Sequence, residues 1–162
     1  KKIEEYLGKY LKHSYLKNPI VYCGNFALNT VLVYYVQEAE NADIKINIDI
    51  ALPNEISIKD ADLTVLFGNL IENAIDACEN VQKDKRSIEL KIHRPNAGSI
   101  VFSIDNTFDG NIKMSGNKFL STKQNGSGIG IESAKYVVEK YNGDMKIEIN
   151  DNKFCVSGVL LQ

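Results

Sequence analysis

The chain has 162 residues, 44% hydrophobic and 25% charged, with a formal net charge of -2. This is an ordinary globular composition, long enough for one domain with a real core and without a basic field for nucleic acid or acidic lipid. Its three cysteines, Cys23, Cys78 and Cys155, are far apart and sit among apolar residues, and the only histidines are His13 and His93. That pattern predicts buried apolar thiols in a reducing compartment rather than a zinc site or a disulfide framework.

In chain order, Ile3, Tyr6, Leu7, Tyr10 and Leu11 recur at helical spacing and predict a helix over 3–17. The chain opens without Met and already in helical period, so it reads as a piece of something longer, with no signal peptide or membrane-spanning run. Pro19 and Gly24 break the pattern, and a second helix is expected over about 25–41. Ile44, Ile46, Ile48 and Ile50 alternate as in a half-buried strand, which Pro53 ends. Asp60 is the expected N-cap of a helix running to about Asn80. The stretches 87–94 and 99–106 alternate again around a "PNAG" turn. Residues 107–127 are polar, glycine-containing and without clear periodicity, as in a functional lid. A helix is expected from Gly128 to about Tyr141, then a hairpin of "DMKIEIN" and "FCVSGVLL". This order predicts an α/β sandwich with a mixed, mostly antiparallel sheet.

Three stretches carry candidate chemistry. On the helix 60–80, Leu63, Leu66, Phe67, Leu70, Ala74 and Cys78 share the core arc, and Asn69, Asn73 and Asp76 line the stripe beside it. Asparagine brings no helix propensity, so two of them one turn apart on a half-buried edge need partners. Either local hydrogen bonds on a solvated face or an oxygen-seeking cation with phosphates would supply them. On the strand 99–106, Asn106 falls in phase with the inward Ile100, Phe102 and Ile104. It is either a turn residue or a group that reads a base edge, able to accept through its oxygen, to donate through its nitrogen, or to flip between the two. Gly126, Gly128 and Gly130 bring flexible backbone to a helix start, where unpaired N–H groups favour phosphate. The spacing is neither a dinucleotide fingerprint nor a P-loop.

Taken in order, "NLIENAIDA", "STKQNGSGIGIESAKYVVEKYNGDMKIEI" and "NKFCVSGVLL" resemble the N box, the G2 box and the last hairpin of the GHKL nucleotide-binding superfamily, in its histidine-kinase form. The likeness covers about 25–162 and is most similar to the peptide-sensing kinases of the Agr and VirS type. It implies a Bergerat ATP-binding fold, a two-layer α/β sandwich, preceded over 1–24 by the tail of a helical dimerisation segment. It implies ATP as substrate with Mg²⁺ held by Asn73, and Asn69 helping on the phosphate side. By the same resemblance Asn106 stands where most members read adenine with an aspartate, which leaves open whether Asn106 or Asp105 does so here. Thr122, Lys123, Gly126, Ser127, Gly128, Ile129 and Gly130 become the lid and phosphate contacts.

The activity implied is transfer of the γ-phosphate to a histidine upstream of this fragment, for which neither His13 nor His93 has the right surroundings. The partners implied are those upstream helices in a homodimer and a cognate response regulator, in the cytoplasmic part of a bacterial membrane sensor. The chain departs from the wider pattern by its "NTFDG" in place of D-x-G-x-G and by Asn69 in place of a water-activating glutamate. The second departure favours transfer over hydrolysis, and the first leaves a non-catalytic nucleotide sensor as an alternative beside a gyrase-like or MutL-like hydrolytic switch.

Overall fold

The computed structural model describes residues 20–111, 113–115, 118–120 and 129–161. The expected helix 3–17, with His13, lies outside the described residues. Helix α1, Phe26–Asn41, starts where Asn25 accepts the Leu28 N–H at 2.9 Å, satisfying one of the unpaired donors of the first turn. Strand β1, Lys45–Ala51, leads to helix α2, Asp60–Glu79. The N-cap of α2 is Lys59 and not Asp60, one residue earlier than expected and without a side-chain cap. Asp60 and Asp62 lie inside the first turn, where a negative charge meets the positive end of the helix dipole.

Strands β2, Ser87–Asn96, and β3, Ser99–Thr107, form a hairpin, and β6, Asp144–Asn150, and β7, Lys153–Leu161, form the closing one. The five-stranded sheet has the order β1-β2-β3-β7-β6. Only β1–β2 is parallel; the other three pairs are antiparallel, so the mixed, mostly antiparallel sheet is as expected. The stretch expected to be irregular contains a second, two-stranded sheet of β4, Lys113–Ser115, and β5, Lys118–Leu120. Helix α3, Ile129–Lys140, follows.

The alternation along the strands decides the layering. Ile88, Leu90, Ile92, Ile100, Phe102, Ile104, Val156 and Leu160 are all buried on one face, against which the helices pack. The other face carries Lys91, Asp105 and Lys146, with Val101 and Leu161 exposed toward one end of it. All six residues assigned to the core arc of α2 are buried. Phe67 meets Phe102 edge to face, with ring centroids 5.6 Å apart. Gly158 makes room for that pair, since a Cβ there would stand 2.5 Å from Phe102 Cζ. At the other end Arg86 ties α1 and α2 to the sheet by donating to the carbonyls of Ala42, Val81 and Glu79 at 2.6, 2.9 and 2.8 Å. These lie at or just past the helix C-termini, where carbonyls lack helical partners.

Of the three thiols only Cys78 is fully buried; Cys23 and Cys155 are half-buried, which corrects the uniform expectation. The reason for Cys155 is phase: it faces the polar side of the sheet beside Asp105, and burial together with that carboxylate pushes its thiol up to about 11. His93 is in β2, as expected, with its Nε2 3.1 Å from Asp49 Oδ2 on the neighbouring β1. Among the described residues no helix is long and apolar enough to cross a membrane.

Candidate functional site

Helix α2 lies along β3 in the same direction: Phe67 meets Phe102 at one end, and Cys78 reaches Thr107 at the other. Eleven helical residues and five strand residues both advance about 16 Å, so the two elements keep pace. The polar stripe of α2 then falls on its α3 side. Asn69, Asn73 and Asp76 are all half-buried there.

The start of α3 is set on that stripe. A Cβ added to Gly130 would lie 2.9 Å from Asn73 Nδ2, 3.3 Å from Asn73 Oδ1 and 3.5 Å from Asn69 Oδ1. With glycine at this position the helix backbone itself meets the two amides, which a side chain would push aside. The far end of α3 is fixed separately. Lys140 Nζ reaches the Asp62 carboxylate at 3.0 and 2.7 Å, and Tyr141 Oη donates to it at 2.6 Å. Tyr141 Oη also accepts the Lys59 N–H at 3.0 Å. The Lys140 hydrogen bond first, and the Tyr141 hydroxyl second, hold the Asp62 carboxyl below its usual range. One carboxylate thus pins the C-terminal end of α3 to the first turn of α2.

The two asparagines differ. Asn69 Nδ2 donates to the Val65 carbonyl of its own helix at 2.7 Å, so its oxygen is the side turned toward Gly130. Asn73 Nδ2 is buried and has no partner among the described residues. A buried donor left unmade costs about 1–3 kcal/mol, which an anionic acceptor at the α3 start would relieve. The donor set fits a magnesium–phosphate group. Both amides offer a hard neutral oxygen, a hydrated Mg²⁺ takes few protein oxygens, and the same Asn73 amide has an N–H for a phosphate oxygen.

Asn106 stands on the inward face, as its phase predicts, and is 4% exposed. Its Nδ2 donates to the Thr107 carbonyl at 3.0 Å. Asp105 stands on the opposite face, opposite Cys155. The structure therefore brings Asn69, Asn73 and Gly130 together, with Asn106 nearer the C-terminal end of α2, and sets Asp105 apart. Ile129 opens α3; Thr122, Lys123, Gly126, Ser127 and Gly128 lie outside the described residues. The residues that sequence reasoning missed are Thr107 and Cys78. Periodicity assigns Cys78 only to the core, and Thr107 falls at the start of the polar stretch 107–127. Cys78 Sγ donates to the Thr107 carbonyl at 3.3 Å, and Thr107 Oγ1 accepts the Ser87 N–H at 3.0 Å. The one signal in the sequence was a threonine directly after an inward asparagine.

Residues 58–162 match the family model of the GHKL domain. Among curated proteins no sequence matches the chain. Solved structures do share its fold. The nucleotide-free catalytic domain of the histidine kinase ThkA is 18% identical with a TM-score of 0.65, over 83% of this chain and 90% of that one. The mycobacterial sensor histidine kinase MprB is 14% identical with a TM-score of 0.61, over 83% and 93%. Full-length ShkA in complex with AMPPNP is 16% identical with a TM-score of 0.62, over 82% of this chain and 28% of that one. At these identities the likeness is one of fold, and the open α/β sandwich is the one expected from the sequence. With the family model spanning well over half of its residues, the chain belongs to the GHKL domain family.

Proposed function

We propose that this domain binds Mg²⁺·ATP between α2 and α3 and serves as the catalytic domain of a sensor histidine kinase, passing the γ-phosphate to a histidine on an upstream helical segment. The observation that carries the reading is the setting of Gly130, at the start of α3, on the amides of Asn73 and Asn69. Asn73 is the proposed metal residue, and Asn69 adds a second oxygen. Thr122, Lys123, Gly126, Ser127, Gly128, Ile129 and Gly130 are proposed as the phosphate-side contacts, and Asn106 as the reader of the base. Bound Mg²⁺ would supply charge neutralisation on the phosphates. The AMPPNP bound in ShkA, which shares the fold, supports a nucleotide as the ligand.

Transfer rather than hydrolysis is supported by Asn69. An amide takes no proton at neutral pH, and its nitrogen is already committed to Val65. The motif likeness to peptide-sensing kinases supports a signalling role answered by a response regulator, within a homodimer formed through the upstream helices. The test uses a chain carrying the upstream helices with γ-labelled ATP. Acid-labile, alkali-stable phosphate on the protein is the expected product. Free phosphate without labelled protein would select the hydrolytic alternative, and nucleotide binding with neither product would select a sensor.

A further inference from the structure

The base end of the site contains a polar network that the proposed function leaves unassigned. Asn106 is buried, and its amide faces the Thr107 carbonyl at 3.0 Å. A carbonyl has no proton, so only the nitrogen side of the amide can face it. That carbonyl is also the nearest of three oxygens around the single Cys78 S–H, at 3.3 Å against 3.5 Å for the Ser87 carbonyl and for Thr107 Oγ1, while Thr107 Oγ1 accepts from Ser87 N at 3.0 Å. The residues in register with Asn106, Ile88 on β2 and Phe154 on β7, are apolar.

We propose that the Thr107 carbonyl, positioned by Cys78, locks the Asn106 amide with its oxygen outward, so that the site selects a base with an exocyclic amine and is committed to asparagine over aspartate. The selectivity rests on the nucleotide-binding reading above; the lock on the amide does not. Turning the amide over to meet a base carbonyl would set its oxygen against the Thr107 oxygen. The relaxed discrimination expected of a freely flipping asparagine is therefore opposed by the structure. A carboxylate at 106 would meet the same carbonyl, in a buried place that disfavours its charge. Around it, Cys78 on α2 is the titratable group at the same carbonyl, and burial raises its pKa, which keeps it a neutral donor. Lys153, in register with Thr107 on β7, is exposed, and Glu89 and Asp105 belong to the opposite face of β2 and β3.

The experiment compares wild type with Asn106→Asp by apo melting between pH 5 and pH 8 and by calorimetry with ATP and inosine triphosphate. Wild type is expected to prefer ATP by about tenfold, the scale of one mismatched hydrogen bond. Asn106→Asp is expected to lose melting temperature relative to wild type as pH rises. Its ATP affinity should be about tenfold weaker at pH 8 and recover toward wild type at pH 5, where a neutral carboxyl donates to Thr107 and still accepts from the amine. If the variant does not fold at pH 8, it should fold at pH 5; failure at both overturns the proposal. So does a variant that melts and binds ATP like wild type at every pH. Cys78→Ser should preserve the ATP preference and Cys78→Ala should narrow it, and an unchanged ratio in Cys78→Ala removes Cys78 as the positioning residue. If wild type binds neither nucleotide while the pH-dependent melting of Asn106→Asp appears, the lock stands and the nucleotide reading, with the base selectivity, has failed.

Discussion

Gly130→Ala adds one methyl group at the point where α3 meets the two amides of α2. The residue is helical and not at positive φ, so alanine fits the backbone. In a helix interior the exchange gains about 1 kcal/mol, and less at the second residue of a helix. Against this gain, the methyl would stand 2.9 Å from Asn73 Nδ2 and 3.3 Å from Oδ1. These atoms are the end of a side chain, so the amide turns away by a few tenths of an ångström. Such an off-rotamer displacement costs about 0.5–1.5 kcal/mol. The two terms nearly cancel, and the apo domain should keep its stability to within about 1 kcal/mol.

Binding should not be spared. The displaced amide is the one proposed to serve both the cation and a phosphate oxygen. Losing one hydrogen bond to a charged group costs about 1.5–3 kcal/mol, or roughly ten- to a hundredfold in affinity. Calorimetry with AMPPNP and Mg²⁺ measures that loss, and adenosine, which has no phosphates, serves as the control. The expected result is AMPPNP weakened by about that factor with adenosine unchanged. Equal weakening of the two, or unchanged AMPPNP binding, would refute the placement of phosphates at the α3 start. A stability loss of about 3 kcal/mol or more would show instead that Gly130 is a packing glycine.

Asn73→Ala should do the same to AMPPNP while leaving the apo protein as stable or up to about 1 kcal/mol more so, because it removes an unpartnered buried donor and adds helix propensity; chemical denaturation checks this, and clear destabilisation would mean that the amide has a structural partner. Asp62→Asn should lower the melting temperature at pH 7. The carboxyl of Asp62 is held below its usual range by Lys140, so the unfolded chain binds its proton more readily and stability rises with pH. Its contribution is therefore complete above about pH 5 and lost as pH falls through and below about 4; a wild-type-to-variant gap that does not close on acidification counts against the ion pair as the cause. Cys155, with its thiol pushed up to about 11, should be about one part in a thousand thiolate at pH 8 and react correspondingly slowly with iodoacetamide, by mass spectrometry of the labelled peptide. Alkylation as fast as an unstructured cysteine would mean that the residue is not held beside Asp105.

What was legible in the sequence is what periodicity encodes. The core arc of α2 and the inward phase of Asn106 follow from 3.6- and 2-residue repeats, and the structure reproduces both. The order of helices and alternating runs likewise fixed the class of fold. Ends of elements were legible only to about a residue. Asp60 has the chemistry of a cap, but the cap position falls on Lys59 and the aspartate is used in the first turn instead. Contacts between elements distant in sequence were not legible. Nothing in "GIG" says which asparagine its last glycine will touch, because that depends on how α3 lies across α2. Along α3 it rests on the buried Ala134, Val137 and Val138, and its far end is held by a carboxylate more than sixty residues away, Asp62, which meets Lys140 and Tyr141.

The same limit explains why the asparagine at 106 could be read two ways from the sequence and one way from the structure. An isolated amide is both donor and acceptor, so residue type alone leaves its use open. A backbone carbonyl is an acceptor only, and it removes that freedom wherever it stands close by. Here the carbonyl belongs to the very next residue, and the thiol that also reaches it comes from a helix whose core arc was assigned to packing alone. In the proposed arrangement Cys78 has two roles on one side chain: its burial helps join α2 to the sheet, and its S–H supports the carbonyl that orients the group facing the proposed base. A leucine or valine at 78 would serve the first role and not the second. The residue types that make a site specific can thus sit in positions that hydrophobic periodicity assigns to the core.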